Sequence, residues 1–95
     1  MTSERNEGRV ALVTGANRGL GLECVRQLST LGFTVLLGAR NEQRALKAAQ
    51  TIGRPHVHPI TLDVTSDADV ANCHELIRRE HGGRLDVLIN NAAIH

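Results

Sequence analysis

Short apolar runs alternate with longer amphipathic stretches along this chain. The runs contain mostly Val, Leu and Ile, and such segments are typical of parallel strands that are covered on both faces. The stretches between them place apolar residues at helical spacing. The pattern therefore predicts the element order βαβαβαβ, with strands at residues 10–13, 33–37, 57–62 and 85–89.

The first predicted helix covers residues 20–31 and carries one continuous apolar stripe. Gly32 comes directly after it and ends it, because glycine readily takes the positive φ of the residue that follows a helix. The stripe is expected to face the sheet. Its members are Leu20, Cys24, Leu28 and Leu31.

The two later helices are bounded by capping residues. Asn41 is the predicted N-cap of the second helix, since its side chain can accept a hydrogen bond from the first turn. Ser66 and Asp69 form a predicted capping box at the start of the third helix, and Gly82 ends it. The expected apolar positions are Ala45, Leu46, Ala48, Ala49 and Ile52 on the second helix, and Val70, Cys73, Leu76 and Ile77 on the third.

This alternation predicts an α/β fold with a doubly wound parallel sheet and right-handed crossovers. Pro59 removes a ladder donor from the third strand and places that strand at an edge. A glycine-rich turn follows the first strand, so the strand order should reverse beside it. The order 3-2-1-4 satisfies both conditions, and it leaves the apolar fourth strand as an edge that needs a partner.

Composition narrows the class of protein. The 95 residues carry a net charge of +1, which gives no electrostatic case for binding nucleic acid or an anionic membrane. No apolar run is long enough to span a bilayer. Residues 1–8 are polar and are predicted to be a flexible leader, residues 9–95 a single domain, and the location cytoplasmic. Cys24 and Cys73 are expected to be buried thiols rather than a disulfide.

The glycine-rich turn is the strongest candidate site. It covers residues 14–21, between the first strand and the first helix, where backbone N–H groups can meet a phosphate. Gly15 is expected to supply an unusual backbone angle, Gly19 to leave room for a pyrophosphate, and Gly21 to allow close packing of the helix. Asn17 and Arg18 lie on the exposed arc. The spacing is not that of a P-loop, and it differs from the tighter G-x-G-x-x-G fingerprint.

Four segments, taken in order, resemble the short-chain dehydrogenases/reductases. Residues 14–21 fit the family's T-G-x-x-x-G-x-G, Asp63-Val64 follows the third strand as the family's adenine-binding pair does, residues 84–89 fit its fourth strand, and Asn90-Asn91-Ala92 fits its N-N-A-G. The final glycine of that motif is replaced by Ala93. The resemblance implies a Rossmann-like sheet and the N-terminal, cofactor-binding portion of such an enzyme. The cofactor-binding residues that it implies are Gly15, Asn17, Arg18, Gly19, Leu20, Gly21, Arg40, Asp63, Val64, Asn90, Asn91 and Ala92.

The residues after the second strand favour NADP over NAD. NAD-binding sheets place a carboxylate there for the ribose 2′-hydroxyl, whereas this chain has Arg40 and no acid until Glu42. A guanidinium pairs with a 2′-phosphate that a carboxylate would repel. In the family, arginines matching Arg18 and Arg40 commonly flank that phosphate.

No catalytic residue can be carried over from the family. Its proton donor is a tyrosine, and this sequence contains none; its only lysine, Lys47, falls in the second helix. Two hypotheses follow: a truncated cofactor-binding portion of an NADP-dependent oxidoreductase, or a non-catalytic module that binds dinucleotide or pairs with full-length relatives. The expected partner of the fourth strand is a C-terminal half or such a relative. His56 and His58 share a strand face but lack further ligands, so no metal site is predicted.

Overall fold

A computed structural model describes residues 6–92 and confirms the predicted element order. Residues 1–5 of the predicted leader, and Ala93, lie outside this range. Residues 6–8 form a turn in which the Asn6 side chain donates a hydrogen bond to the Leu31 carbonyl at 2.7 Å. The elements are β1 (Val10–Thr14), α1 (Gly19–Thr30), β2 (Thr34–Ala39), α2 (Glu42–Ile52), β3 (Val57–Thr61), α3 (Asp67–His81) and β4 (Val87–Asn90).

The four strands form one parallel sheet in the order β3-β2-β1-β4, as predicted. Pro59 lies on β3, which pairs with β2 and is an edge strand of the described sheet. An edge strand tolerates a proline, because an N–H on its outer side has no neighbouring strand to bond with. β4 pairs with β1 alone among the described strands, and Leu88 on it is 59% exposed. The carboxyl ends of all four strands meet at one edge of the sheet, so the segments after them converge there.

The core lies on both faces of the sheet. α1 and α2 cover one face, and α3 covers the other. Strands β1 and β2 are buried throughout apart from the half-buried Thr34, as predicted for doubly covered strands. The buried cluster under α1 and α2 includes Ala11, Val13, Val25, Val35 and Leu37, and the cluster under α3 includes Leu12, Leu36, Ile60, Cys73 and Ile77.

The predicted stripe of α1 is confirmed at Cys24 and Leu28, which are partly buried against the core, but it is wrong at its two ends. Leu20 is 73% exposed and Leu31 is 42% exposed, whereas the buried line runs through Gly21, Val25 and Ser29. The helix meets the turn at Gly21, where there is no side chain to hold it away. This close approach rotates the helix so that Leu20 faces outwards.

Three other predictions about helix faces need correction. Leu46 on α2 and Val70 on α3 are 43% and 48% exposed, because small buried alanines and Cys73 make the close contacts instead. Cys24 is only half-buried, whereas Cys73 is buried, and both are free thiols. Helical spacing alone does not show which side of a wide apolar face comes nearest to the sheet.

The helix ends are mostly as predicted. The Asn41 side chain accepts a hydrogen bond from Arg44 N at 2.9 Å, and the Ser66 side chain accepts one from Asp69 N at 3.2 Å. The capping box at Ser66 is only half formed, since the Asp69 carboxylate accepts from Asp63 N at 2.9 Å rather than from Ser66 N. Gly32 and Gly82 have the expected positive φ.

The fourth strand begins later than predicted, at Val87. Just before it, the Asp86 carboxylate accepts a hydrogen bond from Val10 N at 2.8 Å, and Asp86 N donates to the Val10 carbonyl at 2.8 Å. The first of these bonds uses a side chain in place of the strand backbone. Leu85 is 38% exposed and outside the strand. No helix among residues 6–92 has the length and apolar character needed to cross a membrane.

Candidate functional site

The turn after β1 takes a conformation that only glycine accepts easily. Gly15 and Gly19 have φ of +59° and +60°. A Cβ on Gly15 would lie 2.9 Å from the Ala92 Cα, whereas a Cβ on Gly19 would meet nothing within 4 Å. Gly15 therefore packs against the segment after β4, and Gly19 faces open space at the start of α1.

Gly21 is the point of closest approach between α1 and the turn. A Cβ there would lie 2.6 Å from the Gly15 carbonyl oxygen, 2.7 Å from Asn91 Nδ2 and 2.9 Å from the Ala16 Cα. Two of these neighbours are backbone atoms that cannot move independently. The close packing expected at Gly21 is therefore present, although the contact is with the turn and the segment after β4 rather than with the sheet.

The amino end of α1 differs from those of the other two helices. α2 and α3 are capped by Asn41 and Ser66, and both have acidic residues in the first turn. At α1 the N-cap is Arg18, whose side chain makes no capping hydrogen bond, and the first turn holds no acid. The free N–H groups and the positive end of the helix dipole thus face the turn without a side-chain acceptor, which suits an anionic ligand.

Residues after β4 hold the turn in place. The Thr14 hydroxyl donates to Asn90 Oδ1 at 2.9 Å and accepts from Ala92 N at 3.1 Å. Asn91 Nδ2 donates to the Gly15 carbonyl at 3.0 Å. These bonds join parts of the chain that are more than 70 residues apart. They use none of the amides of the first turn of α1.

A basic cavity of about 230 Å³ opens beside the turn. It brings together six of the predicted residues, which lie on the turn, after β2 and after β4, and it adds Arg44, which the sequence analysis missed. The available signal was its position in the first turn of α2, close to Arg40 at the same edge of the sheet. The lining residues are Gly15, Asn17, Arg18, Arg40, Arg44, Asn91 and Ala92.

The charge around this cavity is positive. Among residues 6–92, Arg18 and Arg44 have no carboxylate within 4.0 Å, and Arg40 has only Asp63, with its Nε 4.0 Å from Asp63 Oδ2. A second cavity of about 280 Å³ shares Asn17 and Arg44 and extends along α2 to Lys47. Three guanidinium groups and no acid on the lining are suited to a phosphate dianion.

Asp63 lies after β3, on the far side of Arg40 from the turn. Its Oδ1 accepts two hydrogen bonds from Thr65, one from the hydroxyl at 2.6 Å and one from the backbone N at 2.9 Å. These bonds, together with the Arg40 charge, hold the pKa of the Asp63 carboxyl below its usual range. Val64, which follows it, is half-buried and packs against the cluster under α3.

The remaining predicted residues do not line the basic cavity. Gly19 and Leu20 are exposed at the start of α1, Gly21 is buried beneath the turn, and Asn90 bonds to Thr14. Of the histidines, His56 Nε2 lies 3.1 Å from the Ser29 carbonyl, and the rings of His58 and His81 are tilted by 47° with their centroids 6.4 Å apart. Within residues 6–92, no cluster of three His, Cys, Asp or Glu could hold a metal ion.

Comparison with known proteins decides the family. The sequence model described as short chain dehydrogenase matches residues 9–95. The chain belongs to the short-chain dehydrogenase family. Members of this family bind nicotinamide dinucleotide cofactors, and the open glycine turn, the uncapped α1 and the basic cavity fit such a cofactor.

Individual relatives agree with this assignment. The chain is 43% identical over 91 residues to short-chain dehydrogenase/reductase 1 of Saponaria officinalis, and 41% identical over 88 residues to carbonyl reductase (NADPH) 1 of Bos taurus. Each match covers 90% of this chain but only 30% and 31% of the relative. The chain thus spans less than one third of the length of these relatives.

A solved structure shows the same fold. The menthone neomenthol reductase of Mentha piperita superposes with a TM-score of 0.86 at 38% identity. The match covers 90% of this chain and 32% of that structure. The Rossmann-like sheet predicted from the sequence is therefore confirmed, and it corresponds to one portion of the larger enzyme.

Proposed function

We propose that this chain is the NADP(H)-binding portion of a short-chain dehydrogenase/reductase, an oxidoreductase that transfers hydride between NADPH and a carbonyl or alcohol substrate. The observation that carries the proposal is the uncapped start of α1 beside a cavity lined by three arginines and no acid. Both features favour anionic groups, and they adjoin one another at the carboxyl edge of the sheet.

The pyrophosphate is placed at the start of α1. The amides of Gly19, Leu20 and Gly21 have no side-chain acceptor there, and the bare Gly19 lets an anion approach the backbone. The exposed Leu20 then lies beside the cofactor, which accounts for an apolar residue left in solvent. Asn17 contributes a side-chain amide at the cavity wall.

The 2′-phosphate is placed among Arg18, Arg40 and Arg44. These residues line one cavity from the N-cap of α1, the segment after β2 and the first turn of α2, so all three can contact a dianion there. NAD carries no charge at this position and would leave the three arginines without an anionic ligand group. The arrangement therefore supports NADP over NAD, in agreement with the name of the bovine NADPH carbonyl reductase to which the chain is similar.

The two ends of the dinucleotide are assigned to the flanking segments. Asp63 and Val64 receive the adenine, since Asp63 adjoins Arg40 at the end of β3. We call the space at the carboxyl edge of the sheet, beside the turn after β1, the crevice. Its nicotinamide side is supported by the residues at and after the end of β4, which are Asn90, Asn91 and Ala92. When bound, the nicotinamide supplies the hydride, and these residues hold and orient it.

The chain supplies no proton donor of the kind that the family uses. Carbonyl reduction requires a proton at the substrate oxygen, and the 95 residues contain no tyrosine. Lys47 lies on α2, beside the second cavity. We therefore propose that this chain binds the cofactor and does not turn over substrate alone. An assay of NADPH oxidation with varied carbonyls tests this, and sustained turnover by the pure 95-residue chain would contradict it.

Replacement of Arg40 by aspartate tests the choice of cofactor. Arg40→Asp exchanges an attraction to the 2′-phosphate for a repulsion and is expected to weaken NADPH binding by about 100-fold, with NADH little changed. Binding can be followed by the fluorescence of the reduced nicotinamide, because the chain has no tryptophan or tyrosine to interfere.

A matched variant controls for net charge. Arg54→Asp makes the same change at an exposed residue before β3, at the opposite edge of the sheet, and should leave both affinities unchanged. Equal loss of NADPH and NADH binding in Arg40→Asp would sink the assignment to NADP. A wild-type chain that binds neither dinucleotide would overturn the proposed function as a whole.

A further inference from the structure

Two donors of Thr65 hold one oxygen of the Asp63 carboxylate. Thr65 donates both its hydroxyl, at 2.6 Å, and its backbone N–H, at 2.9 Å, to Asp63 Oδ1. The backbone of Asp63 is fixed as well, because its N–H donates to the Asp69 carboxylate at 2.9 Å. Asp63 thus has its main chain held by the first turn of α3 and one carboxylate oxygen held by the loop that follows β3.

The other carboxylate oxygen remains available to a ligand. Oδ2 accepts no hydrogen bond from residues 6–92, and its nearest cation is Arg40 Nε at 4.0 Å. The Asp63 side chain is 29% exposed, so the carboxylate is accessible to a ligand. The same Thr65 bonds keep the pKa of this carboxyl below its usual range, so that it is ionised and a pure acceptor at neutral pH.

We propose that Thr65 is a positioning residue for cofactor recognition: its hydroxyl holds Asp63 so that the free Oδ2 accepts a hydrogen bond from the exocyclic amino group of adenine. The inference rests on the proposed function, because it assumes that a dinucleotide lies in the crevice. It adds a residue outside the resemblance and gives the exposed Thr65 hydroxyl a role in selecting the base.

The alternative is that Thr65 only shapes the turn that leads into α3. A structural role of this kind would affect all ligands alike, because every one of them depends on the folded crevice. A positioning role would affect only ligands that have the amino group. The two roles are therefore separated by the base of the ligand and not by the loss of affinity itself.

The experiment compares two ligands that differ at one position of the base. NADPH and its deamino analogue, in which hypoxanthine replaces adenine, share the pyrophosphate and the 2′-phosphate, so contacts to the arginines cancel. The wild-type chain is expected to bind NADPH about tenfold more tightly than the analogue, as for one hydrogen bond to a charged acceptor. In Thr65→Val this ratio should fall to about twofold, mainly through weaker binding of NADPH.

Two control variants accompany Thr65→Val, which keeps the shape of the side chain and the backbone N–H donor and removes only the hydroxyl. Thr65→Ser restores the hydroxyl and should recover the wild-type ratio. Thr30→Val removes a similar hydroxyl, which bonds to the Arg26 carbonyl at the far end of α1, and should leave the ratio unchanged. A thermal melt of each variant reports any loss of fold, and Thr65→Ala serves if the valine variant does not fold.

Each outcome is decisive. A ratio that falls in Thr65→Val and recovers in Thr65→Ser supports the role of Thr65. If both ligands weaken equally, or the ratio stays at its wild-type value, Thr65 is a turn residue and the inference is overturned while the proposed function stands. If wild-type chain binds neither ligand, the proposed function fails and takes the inference with it.

Discussion

The two halves of the crevice differ in the parts of the chain that form them. The half after β1 and β4 consists of glycines and backbone in close contact, with hypothetical Cβ atoms at Gly15 and Gly21 only 2.6–2.9 Å from their neighbours. The half after β2 and β3 consists of charged side chains in solvent, with the side chain of Arg40 72% exposed. In one half, close packing at two glycines leaves no room for a side chain, and in the other, exposed side chains supply charge.

This difference separates stability from affinity. In the glycine half, an added atom must displace backbone that also holds α1 to the segment after β4, so a change there disturbs the fold. In the charged half, side chains can be exchanged without moving the backbone, so a change there alters ligand binding alone. The predictions below test this separation, from the largest expected effect to the smallest.

Gly21→Ala should give the largest loss of stability. Its Cβ would meet the Gly15 carbonyl oxygen at 2.6 Å, and overpacking against backbone costs about 3 kcal/mol. Alanine is the better helix former by about 1 kcal/mol, which does not offset the clash. Urea unfolding followed by circular dichroism measures the change in the free energy of unfolding.

Gly19→Ala is the matched control for that experiment. Gly19 has the positive φ but open space around its Cβ, so the variant should lose only about 1 kcal/mol from backbone strain. Equal stability losses at Gly19 and Gly21 would show that φ, and not close packing, governs the glycine half.

Arg44→Gln should lower affinity for NADPH by about tenfold and leave the free energy of unfolding unchanged. Arg44 lines the basic cavity. Its backbone N–H donates to the side chain of Asn41, the N-cap of α2, and the variant keeps this bond. NADPH fluorescence and a thermal melt measure the two quantities, and Arg54→Gln provides a control remote from the crevice. A melting temperature lowered as much as in Gly21→Ala would show that changes in the charged half also disturb the fold.

The smallest effect on stability is expected at Asp86. This residue is an exception to the comparison, because it is charged and yet stabilises the fold. The hydrogen bond from Val10 N, and the one from Arg84, lower the pKa of the Asp86 carboxyl. A group with a lowered folded-state pKa adds stability that is present above its unfolded-state pKa of about 4 and is lost as the pH falls through the folded-state value.

Asp86→Asn should therefore melt at a lower temperature than wild-type chain at pH 7, and the difference should shrink as the pH falls below about 4. Thermal melts at pH 7 and pH 3 measure it. A difference that stays constant with pH would mean that the charge of Asp86 does not support the fold.

Sequence patterns were sufficient for the order of elements and for most of the glycine half. Pro59 placed β3 at an edge, and the spacing of Gly15, Gly19 and Gly21 identified the turn, because each rests on local backbone chemistry. The charged half was only partly predicted. Arg40 was found from its position after β2, whereas Arg44 was missed because no motif includes it and its approach to the cavity depends on the placement of α2.

The errors have the same origin. Leu20 and Leu31 were assigned to a buried stripe, and Asp69 to a reciprocal capping box. Spacing along a helix defines a face but not its rotation on the sheet, and the close contact at Gly21 decides that rotation. The Asp69 carboxylate accepts from Asp63 N instead of Ser66 N, because Ser66 N donates to the Asp63 carbonyl at 2.9 Å.

By itself, the sequence determined the alternation of strands and helices, the edge position of β3 and the chemistry of the turn after β1. These depend on side-chain period, on proline and on glycine, which act over a few residues. Only the tertiary structure decided that Asn91 would hold Gly15, 76 residues away, and that three arginines would share one cavity. Such contacts depend on how closely helices approach the sheet, which no local pattern contains.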